Sequence, residues 1–272
     1  MEILRNCPIC GKNNKSITPF YIMDEKWKLK SCGGCNFVYL ENTVNYVELQ
    51  EKYAWEKTSV VESHSRKKKE PLLYSLSSLL KSIKTHIIKR NKLYFLFKKH
   101  YLHGTVLDIG CAQGGLICTL REKMNTNFIP LGIEISNKLA KIGNDNLSKY
   151  GGKVIHSDAI NGLGQMASGS ISMIIMSSFL EHELHPSECI KQAHRVLLDK
   201  GIVLIKVPNF NSINRVVRKE KWCGYRIPDH QNYFTPTTLT SLAISKGFKV
   251  RQCNIFDRLP TSDTMYTVLE KQ

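Results

Sequence analysis

The sequence lacks the long apolar stretch that a membrane-spanning chain needs. No run approaches the roughly 20 consecutive apolar residues of a spanning helix. The first residues also lack the pattern of a secretory signal peptide. These absences argue against a membrane-spanning or secreted chain, and we therefore expect a cytoplasmic protein.

Acidic residues are scarce, with 23 Asp and Glu against 39 Lys and Arg among 272 residues. The formal net charge of +16 predicts attraction to polyanions, such as RNA, anionic lipid headgroups or diphosphate-linked substrates. RNA is the less favoured of these partners, because the sequence has no obvious ladder of aromatic residues on which bases would stack.

Four of the nine cysteines form two Cys-x-x-Cys pairs, and the other five occur singly. Four thiolates in two short turns can close a tetrahedral zinc site that has no open coordination position. A disulfide or a redox dithiol is the alternative, which a reducing compartment disfavours. Residues 1–40 are therefore predicted to form a zinc ribbon with structural zinc on Cys7, Cys10, Cys32 and Cys35.

Residues 41–100 are predicted to form a basic helical connector. A run of four basic residues, Arg66–Lys69, precedes amphipathic helices over Pro71–Tyr101 whose polar face carries lysine and arginine. Three interpretations stay open: a helix packed on the sheet of the following domain, a basic element on an anionic membrane surface, or a nucleic-acid-binding arm.

An apolar run at Val106–Ile109 predicts a buried parallel strand, and Leu116–Lys123 predicts a helix after it. Gly110 and Gly114 between them permit a tight turn and the close approach of a ligand. Nucleotide cofactors bind at such turns, near the positive end of a helix.

The next predicted strand ends in Glu134, about 20 residues past the glycine turn, where a carboxylate can accept both hydroxyls of a ribose. Turn and helix signals separate the later strands. The strands predicted after the first are Phe128–Ile135, Val154–His156, Ser170–Ser178, Ile202–Val207, Phe248–Ile255 and Met265–Leu269.

The segment 108–114, Asp-x-Gly-x-x-x-Gly, resembles the first motif of class I S-adenosylmethionine (SAM) methyltransferases, with Ala112 in place of the middle glycine. The resemblance continues through Glu181-His182-x-x-x-Pro186 and the segment Trp222–His230, as in small-substrate members of that family. It implies a Rossmann-like α/β domain over residues 101–272. Its mostly parallel seven-stranded sheet carries helices on both faces, and its last two strands pair antiparallel.

The resemblance also implies a function: methyl transfer from SAM to a small molecule or glycan, such as a sugar nucleotide or a lipid-linked saccharide. Two alternatives remain, an RNA methyltransferase that holds RNA with its ribbon and connector, and a non-catalytic protein with the SAM fold. The cofactor-binding residues that the resemblance implies are Asp108, Gly110, Cys111, Ala112, Gly114, Glu134, Ile135, Asp158, Ala159 and Ser177.

His182 and His230 are the candidate bases, because histidine accepts protons near neutral pH. His230 is preferred, since Asp229 and several aromatic residues flank it. We expect no catalytic metal, because Ser178 stands where metal-dependent relatives have the first glutamate of a Glu-x-x-Glu-His motif.

Overall fold

The computed structural model describes residues 2–44, 46, 48, 92–124 and 126–272. Arg66–Lys69 and most of the predicted connector lie outside the described residues. The N-terminal module, residues 2–44, consists of short strands joined by turns. Its strands are β1 (Glu2–Leu4), β2 (Tyr21–Met23), β3 (Trp27–Ser31), β4 (Val38–Leu40) and β5 (Asn42–Val44).

The rest of the described chain alternates strands and helices, as a Rossmann-like domain does. The elements are α1 (Lys92–His100), β6 (Thr105–Ile109), α2 (Gly115–Lys123), β7 (Ile129–Glu134), α3 (Asn137–Ser148), β8 (Lys153–His156), α4 (Ala159–Gly164), β9 (Ile171–Ser177), α5 (Pro186–Val196), β10 (Leu197–Pro208), α6 (Ile213–Arg218), β11 (Asn232–Tyr233), α7 (Pro236–Ser245), β12 (Phe248–Gln252) and β13 (Thr264–Lys271). Single 3-10 turns follow at Lys219–Lys221 and Ile255–Asp257.

A seven-stranded sheet forms the centre of the molecule, with strand order β12-β13-β10-β9-β6-β7-β8. Strands β6 to β10 run parallel, and β13 pairs antiparallel with both β10 and β12. This confirms the predicted fold. The chain order reverses between β6 and β9, and in open α/β sheets ligands bind at the carboxyl ends of the strands beside such a point.

The central strands have nearly continuous apolar sequences because both faces of the sheet are covered by other parts of the protein. Four residues of β6 and five of β9 are buried. Helix α1 buries Leu93, Leu96 and Phe97, one helical face, in the cluster that also contains Val106 and Leu204 of the sheet. The described end of the connector therefore packs on the sheet.

A second, four-stranded sheet has the order β11-β4-β3-β2 and joins three strands of the N-terminal module to the later strand β11. Asn232 pairs with Tyr39, and Tyr233 with Val38, in antiparallel register. The predicted division into residues 1–40, 41–100 and 101–272 stays a prediction. The four-stranded sheet contains strands from the first and the third of these ranges. Among the described residues, no helix is both long and apolar enough to cross a membrane.

Gly132 in β7 marks a close approach between the sheet and the loop after β6. A Cβ at this position would overlap the Cys111 sulfur and lie 3.1 Å from Val154 Cγ2. We expect Gly132→Ala to lower the free energy of unfolding by about 1–3 kcal/mol through overpacking. Urea denaturation measures this. Gly115→Ala is the matched control, since nothing lies within 4 Å of its added Cβ, and an equal loss in both variants would contradict the assignment.

Candidate functional site

The loop after β6 adopts a backbone shape that favours small residues. Gly110, Ala112 and Gly114 have φ angles of 71°, 48° and 77°, all in the left-handed region. The amides of Gly110 and Cys111 donate to the Ile133 carbonyl at 2.9 and 3.2 Å. The loop is thereby fixed to the end of β7 and bends toward the N-terminus of α2.

Glu134 fastens this loop through its carboxylate. Its two oxygens accept hydrogen bonds from the Ala112 amide at 2.9 Å and the Ser136 amide at 2.8 Å. The side chain is buried beside Asp108. Burial of Asp108, together with the nearby charge of Glu134, raises the pKa of the Asp108 carboxyl to about 8. The two predicted acidic residues therefore lie together at the carboxyl ends of β6 and β7.

Asp158 is half-buried and caps α4. Its carboxylate accepts a hydrogen bond from the Asn161 amide at 3.0 Å and another from the Asn161 side chain at 2.7 Å. The predicted role of Asp158 in cofactor binding stays a prediction, as do those of Ile135, Ala159 and Ser177. Asp158 and Ala159 lie where β8 leads into α4, and Ser177 ends β9.

Phe179 connects the loop after β6 with the segment that follows β9. Its ring packs on the Gly110 backbone so closely that a Cβ on Gly110 would lie 2.9 Å from Phe179 Cδ2. Ser178 before it has a φ of 56°, and this left-handed residue turns the chain at the strand end. Glu181 and His182 follow directly, and they therefore lie beside the loop after β6.

The structure brings the two predicted histidines together. The rings of His182 and His230 meet edge to face, with centroids 4.8 Å apart. The Nδ1–H of His182 donates to Asp229 Oδ1 at 2.9 Å, and that of His230 donates to the Gly224 carbonyl at 2.8 Å. These bonds fix the tautomer and leave the Nε2 lone pair of each ring available.

The two imidazoles differ in their proton affinity. Burial lowers the pKa of His182, but the adjacent Asp229 carboxylate outweighs burial, and the net pKa is raised. Burial and the neighbouring His182 lower the pKa of His230 to about 3. His182 is half-buried, whereas His230 is buried. His182 is therefore the more basic and the more accessible group, contrary to the preference from the sequence.

Glu181 completes an imidazole cluster, defined here as Glu181, His182 and His230. Burial raises the pKa of Glu181, and its Oε2 has no hydrogen-bond partner among the described residues. The candidate ligand atoms of the three residues lie within 4.8 Å of one another. Such a set could hold a cation as well as a proton, and the expectation of no catalytic metal stays a prediction.

Aromatic residues line the segment that leads to His230. The Tyr225 ring packs edge to face on Trp222 with centroids 5.3 Å apart, and it lies 5.7 Å from the Tyr233 ring. Tyr21 of the N-terminal module stacks on Tyr225 at 5.2 Å. Sequence reasoning missed Tyr21, because no local motif links strand β2 to a segment 200 residues later.

The four predicted metal ligands also converge, and we call them the cysteine cluster. Their sulfur atoms lie within 4.8 Å of one another, with Cys7 to Cys35 at 3.6 Å and Cys10 to Cys32 at 3.5 Å. Tetrahedral zinc–thiolate bonds require sulfur atoms about 3.8 Å apart. The Gly34 amide points at Cys32 Sγ at 3.3 Å, as in a metal-binding turn. The donor set and its spacing fit one zinc ion.

Comparison with known proteins agrees with the fold described above. The model of a family described as a methyltransferase domain matches residues 82–253, more than half of the chain. None of the curated proteins matches it.

Solved structures resemble this chain at low sequence identity. These similarities are evidence about the fold alone. A SAM-dependent methyltransferase from Methanosarcina mazei has 17% identity and a TM-score of 0.51, covering 65% of this chain and 96% of that one. A methyltransferase in complex with the Trm112 activator from Haloferax volcanii has 13% identity and a TM-score of 0.53, covering 71% and 94%. The cyclase SpnF has 17% identity and a TM-score of 0.51, covering 66% and 80%.

Proposed function

The chain belongs to the methyltransferase-domain family, as a SAM-dependent methyltransferase, and we propose that it methylates a hydroxyl-bearing small molecule or glycan, such as a sugar nucleotide or a lipid-linked saccharide. The observation that carries this proposal is the position of the imidazole cluster. It follows Phe179, whose ring packs on the loop after β6. A cofactor on that loop and an acceptor at the cluster would be neighbours.

On the cofactor side, we propose that the loop 108–114 holds SAM and that Glu134 accepts the ribose hydroxyls. Glu134 already accepts two backbone N–H groups, and each of its oxygens has a further lone pair for a hydroxyl. SAM supplies an activated methyl group on a sulfonium that leaves as a neutral thioether. The protein therefore has to align the acceptor for in-line attack and to receive a proton.

On the acceptor side, His182 is the base. Asp229 orients its ring and leaves Nε2 free to take the hydroxyl proton, as the new bond to carbon forms and the bond to sulfur breaks. Buried His230 lies against the same ring and limits its movement. The sequence preferred His230 for this role, but the greater exposure of His182 supports the reversed assignment.

The recessed position of the cluster supports a small or terminal acceptor. Glu181 and His230 are 1% and 5% exposed, so that a polymer can reach them only by inserting an end or an extruded group. The half-buried rings of Tyr225 and Tyr21 offer apolar surface, which packs well on sugar or base rings, and the buried Trp222 ring packs against Tyr225. An RNA methyltransferase is the alternative that the acceptor experiment below tests.

We also propose that the cysteine cluster holds a structural zinc ion. All four ligands are protein thiolates, which leaves no position open for substrate. The N-terminal module is too small for a large core of its own, and metal binding supplies folding free energy to modules of this size.

The cofactor assignment is tested at Glu134. We expect Glu134→Ala to weaken SAM binding about 100-fold, because it removes charge-assisted hydrogen bonds of roughly 1.5–3 kcal/mol each. Calorimetry with SAM measures this. Glu122→Ala, an exposed carboxylate on α2, is the matched control. Equal SAM affinity in both variants would overturn the ribose role.

The zinc assignment is tested by metal analysis of protein purified without chelators. We expect about one zinc equivalent per chain, lost in Cys10→Ser together with a lower thermal midpoint. Cys118→Ser, a single half-buried cysteine, should keep the metal. Wild-type protein with less than about half an equivalent would count against the site.

The acceptor is tested by incubating the protein and methyl-labelled SAM with host extract, with and without ribonuclease. We expect label in nuclease-resistant sugar or glycolipid fractions. His182→Ala should lower its rate of formation by about 10²–10⁴-fold with unchanged SAM affinity, as for loss of a general base. The exposed His185 of the same segment provides the control variant, His185→Ala.

Two results would refute the acceptor proposal. Label that ribonuclease removes would support the RNA methyltransferase instead. SAM binding without label in any fraction would support a non-catalytic protein.

A further inference from the structure

Two distant segments carry the imidazole cluster, and backbone hydrogen bonds hold them together. The carbonyl of Glu181 accepts from the amides of Gln231 and Asn232 at 2.7 and 3.0 Å. The Asn232 side chain donates to the Leu180 carbonyl at 3.0 Å and to the Glu183 carbonyl at 2.5 Å. The segments 180–184 and 229–232 therefore form one unit.

Arg5 of the N-terminal module binds both segments. Its guanidinium donates to the Leu184 carbonyl at 3.1 Å and to the Gln231 carbonyl at 3.0 Å. The same group donates to the Leu40 carbonyl at 2.8 and 3.1 Å. The Leu40 amide in turn donates to the Gln231 carbonyl at 2.9 Å. A planar fork of five N–H groups can serve three carbonyls in fixed directions, which an ammonium cannot.

A second set of contacts runs from β2 to the base. Tyr21 stacks on Tyr225. The next residue, Arg226, pairs with Asp229 at 2.9 Å. Asp229 then holds the His182 ring. The N-terminal module thus reaches the acceptor side by two routes, one through backbone carbonyls and one through side chains.

We propose that the N-terminal module is a built-in positioning element for the acceptor side, with Arg5 and Tyr21 as positioning residues for the imidazole cluster. The proposal rests on the proposed function for the role of His182, but not on the identity of the acceptor. Cys7 lies two residues after Arg5, and Cys35 lies three residues before β4. Metal in the cysteine cluster therefore fixes Arg5 and the start of β4 at the same time.

The contacts that hold the cofactor side do not involve Arg5 or Tyr21. The proposal therefore predicts an effect on the acceptor side only. The loop after β6 is bound to Ile133 and Glu134 of β7, and Asn146 of α3 donates to the Gln113 carbonyl at 3.0 Å. Displacing Arg5 should therefore leave SAM affinity unchanged and slow the transfer step. Misplacing a reacting group by 1 Å costs on the order of 100-fold in rate.

The test compares Arg5→Lys with Arg121→Lys. Arg121 also donates to backbone carbonyls, those of Thr126 and Phe128, but these lie just before the amino end of β7, whereas the imidazole cluster follows the carboxyl end of β9. Rates are measured on the extract fraction that takes up label, SAM affinity by calorimetry, and the ring nitrogens of His182 and His230 by 15N NMR. We expect Arg5→Lys alone to lose about 100-fold in rate and to shift the ring signals, at wild-type SAM affinity.

Tyr21→Ala gives a second variant should Arg5→Lys fail to fold, and Ile22→Ala, an exposed neighbour on β2, is its control. We expect Tyr21→Ala to slow transfer and to shift the His182 signal, and Ile22→Ala to do neither. Unchanged ring signals in both Arg5→Lys and Tyr21→Ala would overturn the proposal, as would SAM affinity that falls together with the rate. If no fraction takes up label, the proposed function fails, while the ring signals still decide the positioning role.

Discussion

The short antiparallel pairing between β4 and β11 joins the N-terminal module to the rest of the described chain, and the proposed acceptor side depends on it. Strand β11 has only two residues, so that its ladder alone supplies few hydrogen bonds. The buried carbonyls on either side of it still require donors. Arg5 and Asn232 provide them with side-chain N–H groups. The result is a small sheet that belongs to both parts of the molecule.

The two sides of the site are built on different principles. The proposed cofactor side comes from consecutive strand–helix units, and its contacts, such as Glu134 with Ala112, join residues close in sequence. The proposed acceptor side gathers β2, the segment after β9 and the segment before β11. This difference agrees with a general property of common folds, in which one scaffold carries many functions through its variable loops.

The sequence predicted the central sheet well because buried parallel strands have a strong local signal. The expected strand Val106–Ile109 is found as Thr105–Ile109, and Ser170–Ser178 as Ile171–Ser177. The cysteine cluster followed from spacing in the same way. Asp158 shows a limit of such reasoning, since a carboxylate that caps a helix and one that binds a ligand have the same local pattern.

What the sequence could not predict are contacts between distant segments. His182 and His230 were each candidates, but their edge-to-face contact and the different hydrogen bonds of their Nδ1 atoms decide which one is accessible. Arg5 gave no signal at all, because an arginine outside any recognised motif usually lies in solvent. A two-residue strand such as β11 is likewise too short for a hydrophobic period.

The pairing of β4 with β11 also determines the order in which the molecule can be completed. Residues 38–40 leave the ribosome long before residues 232–233, so that during synthesis β4 has an unpaired edge. An open strand edge can pair with other chains. Contacts of such high sequence separation also form slowly. The N-terminal module is thus made before the strand that completes its sheet.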